Sequence, residues 1–358
     1  MRYLLKTSYA DDLRLLPHAR QKVWYALLLA ALVAAPWLLS PYWLSQIGFI
    51  LIYSIAGLGL MVLAGFAGLM SLGHAAFLGV GAYTQAILTD HGWPFPAAMA
   101  AAALISAAVG VVVGLPALRV KGIYLAIATL AFGFIVEEVL TRWESVTGGN
   151  GGLLVGSPEA FGWRLAGNGA LYWLALATCV TVTLAVVNLL RTASGRSFLA
   201  VRDSEISAES MGINLARTKT TAFALSAAIV GLAGALYAHQ LSYLSPEQFG
   251  FAQSLDLLLL VVVGGLGSVR GAFLGAIFLI SAPQLIALAK DALPASIGQT
   301  PGLQLVVYGA VLVLVVMFEP AGLNGIWLRL RTYGEHFPLY RRGMMRLQRS
   351  YQKSEQLH

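Results

Sequence analysis

The residues of this chain that could do chemistry are few. Glu137, Glu138, Asp256, Lys290, Asp291 and Glu319 each fall near the end of an apolar segment, where water and headgroups reach them. Only His74 and His239 lie deeper in apolar runs. An ionisable group buried in that way is costly and usually has a partner or a task. The simpler reading of either is a hydrogen-bonded packing histidine. His74 is the stronger candidate for function, because it stands in a glycine-rich stretch. No series of acids suggests a proton relay, and neither a Ser/His/Asp set nor an HExxH spacing appears. The Gly-x-Gly spacings lie in apolar helices without a βαβ context, so they are not a dinucleotide fingerprint. The single cysteine, Cys179, permits no internal disulfide, suggests no metal site and reads as a small packing residue. The expectation is no catalytic residue, no metal and no cofactor. A channel, or a transporter powered from outside the chain, fits better than an intramembrane enzyme or a proton-coupled carrier.

The most informative stretch is a polar island between two apolar runs, RTASGRSFLAVRDSEISAESMGINLARTKTT at 191–221. Arg191, Arg196, Arg202, Arg217 and Lys219 are its bases, and Asp203, Glu205 and Glu209 its acids. Gly195 is expected to break the incoming span. Asp203 or Ser204 caps a helix start by accepting backbone N–H groups, and Glu205 then meets the positive end of that helix. Gly212 ends it in left-handed geometry, Ile213 supplies the accompanying apolar contact, and Asn214 caps the next helix. A helix of about eight residues is ~12 Å long and does not hold alone in water. It must dock, either on the protein's own face or in a groove of a soluble subunit.

The elements around the island are membrane helices. The chain is 58% hydrophobic and 11% charged with a mean hydropathy of +0.75, whereas soluble domains carry about 25% charged residues. Lipid must therefore cover much of the surface, and the continuous apolar runs exclude a β-barrel. The expected fold is an all-α integral membrane bundle of about 8–10 transmembrane helices, some short or broken. Ten segments emerge, near 23–39, 47–65, 70–89, 97–115, 123–141, 169–190, 222–241, 255–267, 272–289 and 303–318. The third and eighth are flanked by glycine clusters and are the candidates for broken helices. A signal peptide is not expected, since the first apolar run begins near Trp24 after a long polar segment and is long enough to stay as a span. The organisation is a cytoplasmic segment at 1–22, a membrane domain at 23–326 and a basic tail at 327–358. With ten crossings, 20 of the 23 Lys and Arg residues fall on the side of the termini and the island. The positive-inside rule makes that side cytoplasmic.

The formal charge of +7 is not a nucleic-acid signal, because the bases sit between and after the apolar runs. The tail mixes Arg329, Arg331, Arg341, Arg342, Arg346 and Arg349 with Trp327, Tyr333, Phe337 and Tyr340. Anionic membrane lipid attracts such a segment at about 1 kcal/mol per basic residue near the surface. Small residues recur four apart at Gly110/Gly114, Ser71/Ala75/Gly79 and Gly267/Gly271/Gly275, a spacing that puts them on one helix face and brings backbones together. Two of these ridges look alike, GLMSLGHAAFLG at 68–79 and GLGSVRGAFLG at 265–275, as an internal repeat would.

The island and the helix after it, GRSFLAVRDSEISAESMGINLARTKTTAFALSAAIVGLAGALYA, resemble the permease subunits of branched-chain amino-acid ABC importers. GLMSLGHAAFLGVGAYT (68–84), KGIYLAIATLAFGFIVEEVLTRWESVTGGNGGL (121–153), GGLGSVRGAFLGAIF (264–278) and FEPAGL (318–323) resemble the M-type subunit of that family rather than the H-type. The likeness spans 47–323 almost continuously. It implies a heterodimer with an H-type permease, two cytoplasmic ATPase subunits and a periplasmic substrate-binding protein, in the bacterial inner membrane. It makes the island helix the coupling helix, carried by Arg202, Asp203, Ser204, Glu205, Ile206, Ala208, Glu209, Met211 and Gly212. Glu205 and Gly212 stand one residue too far apart for the strict EAA-to-Gly pattern of importer loops. The translocation pathway would pass Ser71, Gly73, His74, Phe77 and Gly267. The outer loop with Thr147, Gly148, Gly149 and Asn150 would face the binding protein. The cargo implied is a branched-chain or other hydrophobic amino acid, with urea, short amides or aromatic acids as the alternative within the family. A stand-alone channel or secondary carrier is the reading outside it.

Overall fold

The computed structural model describes residues 19–117, 120, 122–156, 159–160, 163–164, 168–291, 302–319 and 321–336. Most of the 1–22 segment, Arg119, Lys121 and the tail from 337 onward, with Phe337, Tyr340, Arg341, Arg342, Arg346 and Arg349, lie outside the described residues.

The described residues form an all-α bundle. Helix α1 (Ala19–Leu38) turns at Ser40 into α2 (Pro41–Leu60), where Pro41 opens the helix at a position whose N–H would have no partner in any case. α2 runs on as a π-helical turn, Met61–Phe66. The chain is then non-helical until α3 (His74–Asp90). There follow α4 (Phe95–Ala117), α5 (Ile123–Arg142), the short α6 (Glu144–Thr147) and α7 (Asn168–Arg191). The polar island holds α8 (Ala193–Asp203) and α9 (Glu205–Ser210), and α10 (Leu215–Leu241) leads back into the bundle. The last elements are α11 (Phe251–Gly264), α12 (Val269–Asp291), α13 (Leu303–Phe318) and α14 (Gly322–His336).

Seven of these helices are long and apolar enough to cross a membrane. α1 and α13 stand at two of the other expected positions with shorter apolar lengths, and α3, 17 residues long, stands at the third. The third segment is broken as its glycines predicted, and the break lies at its start, in residues 67–73. The eighth begins earlier than expected, at Phe251, behind a 3-10 turn at Pro246–Phe249. Hydropathy missed this part because Gln253 reads as polar, but its amide donates to the Tyr53 hydroxyl on α2 at 2.9 Å.

Helix α10 is the centre of the bundle, and its glycines let the backbones meet. A Cβ at Gly234 would lie 2.1 Å from the Leu78 carbonyl oxygen on α3, and one at Gly231 2.3 Å from Ser106 Oγ on α4. Gly110 faces the Phe223 carbonyl at 2.8 Å by the same measure, so the Gly110/Gly114 ridge seats α4 on α10. The other two ridges need correction. Gly79 lies in α3 and Gly275 in α12, but Ser71 precedes α3 and Gly267 precedes α12, with φ +78°. Those two residues belong to the breaks.

The bundle has two distinct ends. One carries α8, α9, the start of α10, the π-helical turn and the turn between α11 and α12. Arg270 there donates to the Tyr25 hydroxyl at 3.1 Å, which brings the start of α1 to the same end. At the other end β1 (Leu153–Leu154) pairs antiparallel with β4 (Tyr243–Leu244), and β2 (Glu159–Ala160) with β3 (Trp163–Arg164).

Candidate functional site

The island folds by local capping. α7 stops at Arg191, and Thr192 caps α8 by accepting the Gly195 N–H at 3.3 Å. The break therefore falls at Thr192, three residues before the expected Gly195. The glycine serves packing instead, since a Cβ there would stand 2.3 Å from the Leu189 carbonyl. α8 was not anticipated, yet its buried face is periodic, with Gly195, Phe198 and Val201 three apart. Ser204 is extended, and its Oγ accepts the Ser207 N–H at 3.2 Å to start α9. α9 has six residues rather than about eight. Gly212, at φ +83°, closes it, and the Ile213 N–H reaches back to the Ala208 carbonyl at 3.0 Å. Asn214 Oδ1 accepts the Arg217 N–H at 2.9 Å and caps α10.

Side chains root α9 on the bundle from one face only. Ala208 is buried. Glu205 forms an ion pair with Lys219 of α10 at 2.7 Å, and the Lys219 side chain is only 2% exposed. Away from these anchors the unit is open, with Ile206 on the helix 80% exposed and Met211, the residue that follows it, 81% exposed. A notch of about 420 Å³, lined by Glu205, Glu209, Ile213, Asn214 and Lys219, runs beside this helix. Arg202 turns the other way. Its Nη1 donates to the Gly65 carbonyl at 3.2 Å, while Nε and Nη2 donate to Asp203 Oδ1 at 3.1 and 3.0 Å.

The second polar feature is wholly internal. His74 is buried at the first residue of α3. Its Nδ1 stands 2.7 Å from Ser71 Oγ and its Nε2 2.8 Å from Ser226 Oγ on α10. The Ser226 hydroxyl donates to the Gly59 carbonyl of α2 at 2.7 Å. That hydroxyl has one proton, so it must accept from His74, which places the imidazole proton on Nε2. Nδ1 then accepts from Ser71. One neutral ring thus clasps the break, α3, α10 and α2. Beside it, Gly73 approaches α5 so closely that a Cβ would sit 2.0 Å from the Thr129 carbonyl, and Phe77 meets the His74 ring edge-on at 5.3 Å.

Residues 42–316 match the family model described as the permease component of branched-chain amino acid transport systems. The chain belongs to that permease family. Two high-affinity branched-chain amino acid transport system permease proteins LivM, from Salmonella typhimurium LT2 and Escherichia coli K12, are each 35% identical over 329 residues, covering 85% of this chain and 75% of theirs. The autoinducer 2 import system permease protein LsrC of Escherichia coli (strain K12 / DH10B) is 28% identical over 273 residues, covering 72% and 77%. No solved structure matches. The chain is a multi-pass membrane permease of the ABC type, and not an enzyme.

In this permease the residues expected for coupling form one compact unit, within which Ala208 is buried and Arg202, its side chain 37% exposed, reaches the Gly65 carbonyl. Ser71, Gly73, His74 and Phe77 come together, and Gly267 lies apart from them, beside Arg202 at the island end. The expected outer-loop residues form a fixed corner. The Thr147 hydroxyl shares its one proton between the Leu140 and Trp143 carbonyls, at 2.6 and 2.8 Å, and Gly148 and Gly149 take φ +72° and +55°. Asn150 is exposed. Tyr243 donates to the Gly151 carbonyl at 3.0 Å, and His239 Nδ1 reaches the Gly156 carbonyl at 3.0 Å. Sequence reasoning missed the burial of Lys219 and the role of Ser226. Their separation of seven residues on α10, two helical turns, was the available signal.

Proposed function

We propose that this permease is one membrane half of an ATP-driven importer for branched-chain or other hydrophobic amino acids. It pairs with an H-type permease and works with two ATPase subunits, one of which grips α9 from the cytoplasm. A periplasmic binding protein delivers the cargo to the corner at Thr147–Asn150. The observation that carries this reading is the asymmetry of α9. A six-residue helix is held rigidly from below by Glu205–Lys219 while Ile206 and Met211 stand almost fully exposed above it. Such a helix receives force from a soluble partner and passes it to α10. The bundle then opens alternately to the two sides. The pathway runs near Ser71, Gly73, His74 and Phe77 at the interface with the second permease. The ammonium and carboxylate of the cargo meet helix ends and backbone groups there. The LivM likeness supports the cargo. The LsrC likeness, to a permease of an autoinducer 2 import system, favours a second reading, in which the same framework carries another small solute; urea, short amides and aromatic acids are the alternatives within the family.

Changing Ile206 and Met211 to glutamate tests the docking face. Both are exposed, so the permease itself should lose no more than about 0.5 kcal/mol. The ATPase subunits should no longer co-purify with it. Co-purification at the wild-type ratio would refute α9 as their seat. Sidedness is tested with a membrane-impermeant maleimide on intact cells. The one native cysteine, Cys179, is buried and gives a silent background. Asn150→Cys should label and Ser204→Cys should not. The reverse pattern would invert the topology and turn the island toward the periplasm, away from any ATPase.

A further inference from the structure

The two non-helical breaks in this bundle meet at one point. The first follows the π-helical turn at Met61–Phe66, and the second is the glycine turn between α11 and α12. They belong to the two look-alike stretches of the sequence. The Gly267 N–H lies 3.2 Å from Met61 Sδ, and a Cβ on Gly65 would come within 2.8 Å of the Gly267 nitrogen. Gly68 and Gly267 both adopt left-handed backbone, at φ +71° and +78°. A side chain at either place would be strained.

Arg202 enters this junction from α8. Its Nη1 donates to the Gly65 carbonyl at 3.2 Å, and a Cβ at Gly267 would touch that same nitrogen at 3.4 Å. A Cβ at Gly68 would stand 2.8 Å from its Cγ. The guanidinium thus lies over bare backbone, with its remaining edge on Asp203. The carbonyls at the end of a helix have no partner within it, and a guanidinium offers a charge-assisted one. Arg202 stands two residues before Ser204, the cap of α9. The island therefore has two separate roots, Glu205–Lys219 into α10 and Arg202 into the breaks.

We propose that Arg202 is the positioning residue through which movement of α9 reaches both breaks. This rests on the importer reading above. A shift of α9 carries Arg202 with it and pulls on the Gly65 carbonyl and the adjoining Gly267 turn. Those turns set how α3 and α12 start, so both look-alike halves respond to one lever.

The test uses the complete importer, both permeases with ATPases and binding protein, reconstituted into proteoliposomes. Radiolabelled leucine is the probe, and the readout is leucine taken up per ATP hydrolysed. Arg202→Gln should retain the ATPase subunits and their hydrolysis while this ratio falls roughly tenfold, within the range seen for residues that carry coupling. Gly267→Ala should lower the ratio in the same direction. Arg202→Lys should be intermediate, because an ammonium cannot span Gly65 and Asp203 together. An unchanged ratio in Arg202→Gln overturns the proposal, as does uptake that falls only in step with the amount of assembled complex. If Arg202→Gln does not assemble, Arg202→Lys and Gly267→Ala decide by the same ratio. A wild-type complex without ATP-driven uptake overturns the importer reading, and the proposal falls with it.

Discussion

Replacing Lys219 with methionine should cost about 3 kcal/mol and release the island from the bundle. The size follows from burial. The Lys219 side chain is 2% exposed and its partner Glu205 21%, so water screens the pair poorly. Methionine keeps the apolar stem of lysine but removes the ammonium, so the Glu205 carboxylate loses the Lys219 charge beside it. Removal of one partner from such a pair is far more damaging than the net worth of the pair, because a desolvated charge remains. The free energy falls on α9, a helix of only six residues. The permease should still insert, while ATPase subunits bind weakly and ATP-driven uptake is lost. Melting of the detergent-purified complex, followed together with ATPase retention, checks this. Exchanging the charges, Glu205→Lys with Lys219→Glu, should recover part of both. A Lys219→Met complex that melts with the wild type and keeps its ATPases would remove the ion pair from the account.

The second large effect is at His74. Mutation to alanine deletes a buried ring, leaves a cavity and removes one hydrogen-bond partner each from Ser226, which keeps the Gly59 carbonyl, and from Ser71. Together these should cost about 4 kcal/mol. Glutamine should retain more than alanine or leucine, because its amide can still donate to Ser226. The measurement is thermal stability of the purified permease, set beside the KM for leucine uptake. The clasp predicts large losses of stability ordered alanine, then leucine, then glutamine. A histidine whose chief task were to touch the cargo would instead give stable variants with altered KM.

The sequence disclosed some of this and hid the rest for physical reasons. The places of the apolar helices and the presence of breaks were legible, because lipid requires long apolar runs and glycine clusters interrupt them. The caps of the island were legible too, since Ser204, Gly212 and Asn214 act within a few residues of themselves. The position of the bend at Thr192 was not, because glycine marks both chain breaks and close packing, and Gly195 serves the second use. The early start of α11 was hidden by Gln253, whose polar side chain is satisfied by Tyr53 across the bundle. Arg202 and Lys219 read as ordinary loop cations. What distinguishes them is contact with residues far away in the chain, Gly65 for one and the α9 carboxylate for the other. Such tertiary pairings leave no local pattern. The same holds for His74, whose packing role becomes plain only when Ser226 and Gly59 are seen beside it.

The central claim is that this permease is driven by ATP through the exposed face of α9. Leucine uptake into proteoliposomes of the complete complex tests it, with and without ATP supplied to the α9 side, for the wild type and for the double change Ile206→Glu and Met211→Glu. The account predicts uptake by the wild type only when ATP is present, and none by the double variant although both permeases remain paired and folded. Uptake that proceeds without ATP, or that survives unchanged in the double variant, would contradict it.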